Sequence, residues 1–211
     1  EKVQIEGIPV MRRDRGMEND FIRSAQLLLH SLGKNYRYDY LMGISGAAFR
    51  FHLHPELCPS ALDPTTGFDV SRVLFPSIGF RCQTIRINDQ KFEEIRSLYI
   101  RLMTHIDRGI PVMGINLMGF PEWGLVTGYL KNRPGILCRT LDDEGEEYSH
   151  AERAPWLTFF LEEGGKPLDE ETLLFNSLEL AIRQAKTEAF DEYYSGFNAF
   201  RRWIGLLTPT S

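Results

Sequence analysis

A chain of 211 residues, 43% hydrophobic and 12% aromatic, is long enough to bury one substantial core. Its formal net charge of −5 gives no electrostatic reason to expect nucleic acid as a partner, since phosphate binding needs a clustered Lys/Arg surface. There is no apolar run near the about 20 residues of a membrane span and no signal-peptide pattern, and the three cysteines hold no CxxC pair; together these point to a reducing, cytoplasmic setting with no disulfide framework, metal site or cofactor.

Glu1 to Pro9 reads as a short strand or extended entry, followed by the basic run Met11-Arg12-Arg13-Asp14-Arg15, which reads as an ordinary solvated loop. Asp20 to Leu32 predicts a helix: Phe21, Ala25, Leu28 and Leu32 form one apolar row, and Ile22, Leu27 and Leu29 widen it until little of the surface is polar. A helix apolar nearly all round belongs inside a fold. Asn19 or Asp20 can cap its start, and Gly33 follows its end.

Tyr36 to Phe51 predicts a short helix leading into a strand, with Gly43, Ser45, Gly46, Ala47 and Ala48 marking close backbone approach. His52 to Phe68 reads as a proline-bearing loop, Val70 to Ile78 as a helix, and Phe80 to Ile87 as an alternating strand. Gln90 to Arg108 predicts a helix ended by Gly109, and Ile110 to Leu117 a buried strand. Trp123 to Leu130 and Gly135 to Leu141 predict a hairpin across Lys131 to Pro134. An acidic loop from Asp142 to Glu152 follows, then a strand at Trp156 to Leu161, an amphipathic helix at Asp169 to Glu188, and an aromatic helix at Phe190 to Leu207. Helices early and antiparallel hairpins late argue for an α+β fold in which a buried N-terminal helix packs on an antiparallel sheet.

Two segments carry most of the functional information. Asn19 to Gly33 is an apolar helix closed by glycine, and Glu122 to Tyr129 is a buried strand that ends Thr127-Gly128-Tyr129. Together they resemble the papain-like superfamily, in particular the bacterial peptidases that process double-glycine leader peptides. In that group a Cys-Gly-Pro-Ala-Ser-Leu start leads into a helix ending Tyr-Leu-Gly. Counting back from Gly33 puts the cysteine place on Asp20, with Ser24 and Leu32 matching. The histidine place of the family strand falls on Glu122, while Trp123, Val126, Thr127, Gly128 and Tyr129 keep its pattern. The third acidic place falls near Asp142, and the oxyanion-hole glutamine place near Asp14. The segment Tyr38 to Arg50 also resembles the N-terminal domain of butirosin-pathway acyltransferase-like proteins. The C-terminal pattern of that bacterial branch is echoed by Gly196, Ala199, Phe200, Trp203 and Ile204. The resemblance implies a papain-like domain over residues 1–189, a C-terminal aromatic helix over 190–211, and a further helical domain beyond.

The resemblance also implies that the catalytic residues are replaced. A cysteine at a helix start works as a thiolate held by the helix dipole and an imidazolium. An aspartate there is a plain N-cap, a poor base and a poor nucleophile. If Asp20, Glu122 and Asp142 converge, they form an acidic cleft, flanked by Trp123, that suits a cationic small molecule or peptide. The expected function is a degenerate peptidase-like domain that binds such a ligand, with a role in bacterial secondary metabolism. A second expectation is an acyltransferase or amidohydrolase with a relocated nucleophile. Cys58 is the candidate, because His52-Leu53-His54 precedes it and His-x-His puts both rings on one face of a strand. A third is an interaction domain that acts through its C-terminal helix, as a homodimer or against another helical domain. Cys82 and Cys138 read as core thiols, His30 as a surface or satisfied residue, His105 as a cation suited to a helix C-terminus, and His150 as a solvated loop residue.

Overall fold

A computed structural model describes residues 1–13, 16–87, 91–132 and 135–207. Asp14 and Arg15, the first residue of the predicted helix at Gln90, Arg133 and Pro134 of the predicted hairpin turn, and the terminal Thr208 to Ser211 lie outside the described residues. The chain divides into two compact units, Glu1–Tyr38 with Gln83–Glu162, and Asp39–Cys82 with Glu163–Ser211. The expected boundary at residue 189 falls inside the second unit.

The first unit is built on an antiparallel sheet flanked by two helices. Its strands are β1 (Lys2–Gln4), β3 from Gln83 onward (Phe80–Arg86), β4 (Val112–Ile115), β5 (Trp123–Leu130), β6 (Ile136–Arg139), β7 (Ser149–Ala151) and β8 up to Glu162 (Leu157–Glu163), in the order β3-β8-β4-β5-β6-β7. The pairs β4–β5, β4–β8, β5–β6 and β6–β7 are antiparallel. The first half of β5 pairs with β4 and its second half with β1, Val3 lying opposite Tyr129. This handover explains the Thr-Gly-Tyr ending. A Cβ on Gly128 would stand 2.5 Å from the Val3 carbonyl oxygen, so only glycine lets β1 lie down there.

Both faces of the sheet centre are covered, which is why β4, β5 and β6 are buried almost throughout, while the edge strand β3 is not. Helix α1 (Asp20–Ser31) covers the face of Trp123 and Phe159. Phe21 meets both rings edge-on at 5.2 and 6.1 Å. Helix α4 (Phe92–Asp107) covers the other face, where Leu98, Leu102 and Ile106 pack with Val112, Val126 and Phe160. Both helices end on left-handed glycines, at φ +75° for Gly33 and Gly109. In each case the next residue's N–H reaches back to a carbonyl five positions earlier, Lys34 to Leu29 and Ile110 to His105. His105, expected as a cation at this helix end, is instead buried against Phe160. Desolvation pushes its pKa down, so it sits neutral. His150, expected in a solvated loop, lies on β7 opposite Leu137.

The second unit holds helix α2 from Asp39 onward (Tyr38–Ile44), α3 (Ser71–Ser77), α5 (Glu170–Lys186) and α6 (Gly196–Leu207). A small sheet joins β2 (His52–Leu53), β10 (Tyr193–Ser195) and β9 (Ala189–Phe190). The strand expected after α2 is a 3-10 turn at Ala47–Phe49, and the expected all-helical C-terminus begins with the β9–β10 pair. The run of small residues does mark close approach. Ser177 and Gln184 of α5 donate to the carbonyls of Gly43 and Gly46 at 2.9 and 2.8 Å, and a Cβ on Gly46 would collide with Gln184. Phe51 stacks on Phe200 of α6 at 3.9 Å. No helix among the described residues is long and apolar enough to cross a membrane.

Candidate functional site

The start of α1 stands against the start of β5. Asn19, not Asp20, caps the helix: its Oδ1 accepts from the Ile22 N–H at 2.9 Å, and its own N–H donates to the Tyr38 hydroxyl. Asp20 is thereby freed to reach across. Its Oδ2 accepts the Trp123 N–H at 2.7 Å, while Oδ1 accepts the Phe21 N–H at the same distance. Trp123 is fully buried, so this carboxylate satisfies a backbone donor that water cannot reach. The helix-start acid and the strand-start acid Glu122 thus lie one residue apart across the contact.

Asp142 is joined to Glu122 through Arg13, a residue of the basic run expected to be a solvated loop. Arg13 donates from Nη2 to Glu122 Oε1 and from Nε to Asp142 Oδ1, the latter at 3.3 Å. The backbone of its neighbour Arg12 bridges Asp142. Residues 11–13 of the basic run are therefore not a free loop: Met11 is completely buried, and Arg13 spans two of the three acids. Against the desolvation that would lower it, the hydrogen bonds and charges of Glu122 and Asp142 raise the Arg13 pKa. Glu122 Oε2 is buried and has no hydrogen-bond partner among the described residues.

Next to this cluster lies a buried pair that the sequence did not reveal. Arg139 is 2% exposed, and its guanidinium donates to the carbonyls of Ile8, Glu146 and Glu147 at 3.2, 2.7 and 2.9 Å. It also pairs with Asp143 at 3.4 Å and lies over the Tyr148 ring at 3.9 Å. Asp143 accepts from the N–H groups of Met11 and Thr140 and from the Ser149 hydroxyl. This pair organises the acidic loop and seats Met11, which in turn places Arg13. The available signal was an arginine closing the otherwise apolar strand Ile136-Leu137-Cys138, since a buried guanidinium needs several acceptors.

Cys58 belongs to the second unit and is exposed. The Ser60 hydroxyl donates to its sulfur at 3.1 Å and lowers its pKa, and the Tyr193 hydroxyl donates to Ser60 at 3.0 Å. The two histidines do face one side, since both rings contact Tyr193. Neither is placed on the thiol by a hydrogen bond. His54 Nδ1 accepts the Glu56 N–H, and His52 is buried beside Arg50 with its pKa pushed down to about 3, by desolvation first and the guanidinium second. Cys82 is only half-buried. Cys138 is a fully buried core thiol whose pKa desolvation raises to about 12. The described residues contain no group of three or more side chains that could hold a metal ion.

The sequence matches no protein-family model, and no curated protein matches it. Among solved structures the chain is similar to the peptidase domain of Streptococcus ComA, a bi-functional ABC transporter involved in a quorum-sensing pathway. The TM-score is 0.45 at 14% identity, covering 77% of this chain and 100% of that chain. A likeness at that level carries no activity over to this chain.

Proposed function

We propose that this chain is a papain-like domain whose acyl-transfer machinery has been replaced by a carboxylate cluster that binds a cationic group. The observation that carries this reading is Arg13 spanning Glu122 and Asp142 at the places where the resembling hydrolases keep histidine and its acidic partner. The chain's own guanidinium between the two acids supports a ligand of the same chemistry, a planar cation with at least two donors. Asp20, committed to the Trp123 N–H, is neither nucleophile nor base. A small molecule or peptide bearing a guanidinium or amine takes Arg13's place, and Glu122 Oε2 gains its missing donor.

The exposures of Arg13, Glu122 and Asp142, at 45%, 31% and 48%, keep the intramolecular pairs weak, about 0–1 kcal/mol each, so a ligand can displace them. The test is titration calorimetry with agmatine and with short arginine-bearing peptides. Arg13→Ala is expected to bind about tenfold tighter than the unmodified chain, and Glu122→Ala in the Arg13→Ala background to lose binding. If no amine or guanidine binds Arg13→Ala, the reading fails. A role in bacterial secondary metabolism would make such a ligand a pathway intermediate or carrier-bound group.

The exposed Cys58 with its lowered pKa favours a second reading, an enzyme using that thiol as nucleophile. Among the described residues no imidazole is hydrogen-bonded to it, so the thiol would act without a paired base. Alkylation by iodoacetamide no faster than that of a free thiol peptide would remove this option.

A further inference from the structure

Helix α5 buries Leu173, Ser177 and Gln184 along one side. At 100° per residue, the opposite side carries Phe175, Leu178 and Ile182, with Leu174 on its flank, and the four are between 55% and 65% exposed. Large apolar side chains on one strip make a contiguous patch of the kind that, at roughly 300–600 Å², is the largest on a typical monomer and is often functional. The strip ends in Glu171 at its N-terminal end and Lys186 at its C-terminal end, on the same side of the helix.

We infer that this face is a self-association surface, on which two copies pack α5 against α5 antiparallel about a two-fold axis beside Leu178. Charge selects a second copy as the occupant. Residues 171 and 186 are equidistant from the midpoint between 178 and 179, as are 175 and 182. An antiparallel pairing therefore sets Glu171 against Lys186 of the second copy and Phe175 against its Ile182, each contact occurring twice, as an isologous interface requires. A parallel pairing would set glutamate on glutamate and lysine on lysine. The apolar row runs in steps of four, the ridge that interdigitates with its own kind at about 50°. The strip is smaller than the roughly 800 Å² per partner of a standard interface, so the dimer forms at micromolar concentration rather than as an obligate assembly.

Sedimentation of the full chain across micromolar concentrations is expected to show a monomer–dimer equilibrium. Leu178→Glu raises its dissociation constant at least about tenfold, with an unchanged far-ultraviolet circular dichroism spectrum because residue 178 is exposed. Glu171→Lys and Lys186→Glu each weaken the dimer, and the double reversal restores it to within about threefold. Each single reversal also opposes the dipole of its own helix. Damage to the helix would accumulate in the double variant, so restored association reports pairing alone. A chain that stays monomeric overturns the inference, as does a dimer indifferent to Leu178→Glu. Binding of a monomeric chain to phosphatidylserine vesicles, abolished by Leu178→Glu, would also overturn it by assigning the face to a membrane surface.

Discussion

Asn19 and Asp20 are adjacent in the sequence and do different things in the fold. The carboxamide caps α1, and the carboxylate crosses to the Trp123 N–H. Removing the second contact leaves a buried donor unpaired, so Asp20→Ala is expected to lower unfolding free energy by about 1–3 kcal/mol in urea titration. Asp20→Asn keeps an acceptor oxygen and is expected to lose less. Equal losses for the two variants would show that the crossing contact is not what the aspartate contributes. The places of Asp20 and Glu122 were legible because an apolar helix and a patterned strand frame them. Arg13 was not legible, since nothing local in Met11-Arg12-Arg13 says that its guanidinium meets acids over 100 positions away. Arg139 and Asp143 were missed for the same reason. Their acceptors and donors come from the backbone of the loop around Glu146 and from Met11, and a loop's path is not written in its composition.

At the scale of elements, long periodic segments emerged where expected. Helices α1, α4 and α5 begin and end within a few residues of the ranges set by their apolar spacing, and strands β5 and β6 likewise. Short elements did not. The 3-10 turn at Ala47–Phe49, strand β7 and the β9–β10 pair are only two to three residues each, too short for any periodicity to show. Pairing decides them: β7 exists because β6 offers it an edge. Gly128 shows the same dependence from the other side. Its motif was visible, while its purpose, the approach of β1, was not. Gly128→Ala puts a methyl against the Val3 carbonyl, so β1 must lift. The Ile5 amide, bonded to the Thr127 carbonyl at 2.8 Å, is then expected to exchange with deuterium at least about tenfold faster, with β4 amides unchanged. Unaltered Ile5 exchange would mean that β1 is held by something other than this close approach.

Over the whole molecule, the two compact units alternate along the chain, and one buried histidine links the stability of the fold to pH. His52 has its folded pKa pushed down to about 3 from the ordinary value of 6.5. Below about pH 6.5 the unfolded chain takes up a proton that the folded chain refuses. Stability is therefore lost as pH falls through that window, by about 1.4 kcal/mol per unit once well inside it. Between pH 7 and pH 5 the unmodified chain is expected to lose about 2 kcal/mol more than His52→Phe, read from urea midpoints at each pH. Parallel profiles for the two proteins would show that His52 titrates as freely in the folded state as in the unfolded.

The sequence by itself determined the mixed helix and antiparallel-sheet class of the fold, the long helices and strands, and the acids that stand at the start of α1 and just before β5. Those features rest on spacing within a dozen or so residues, where helix and strand periods act. Only the tertiary structure decided that Arg13 closes the cluster, that Arg139 and Asp143 hold its loop, and that residues 39–82 belong with 163–211. Those are pairings between distant segments. Their partners are selected by buried donors and acceptors that must be satisfied, and no local pattern encodes which segment will supply them.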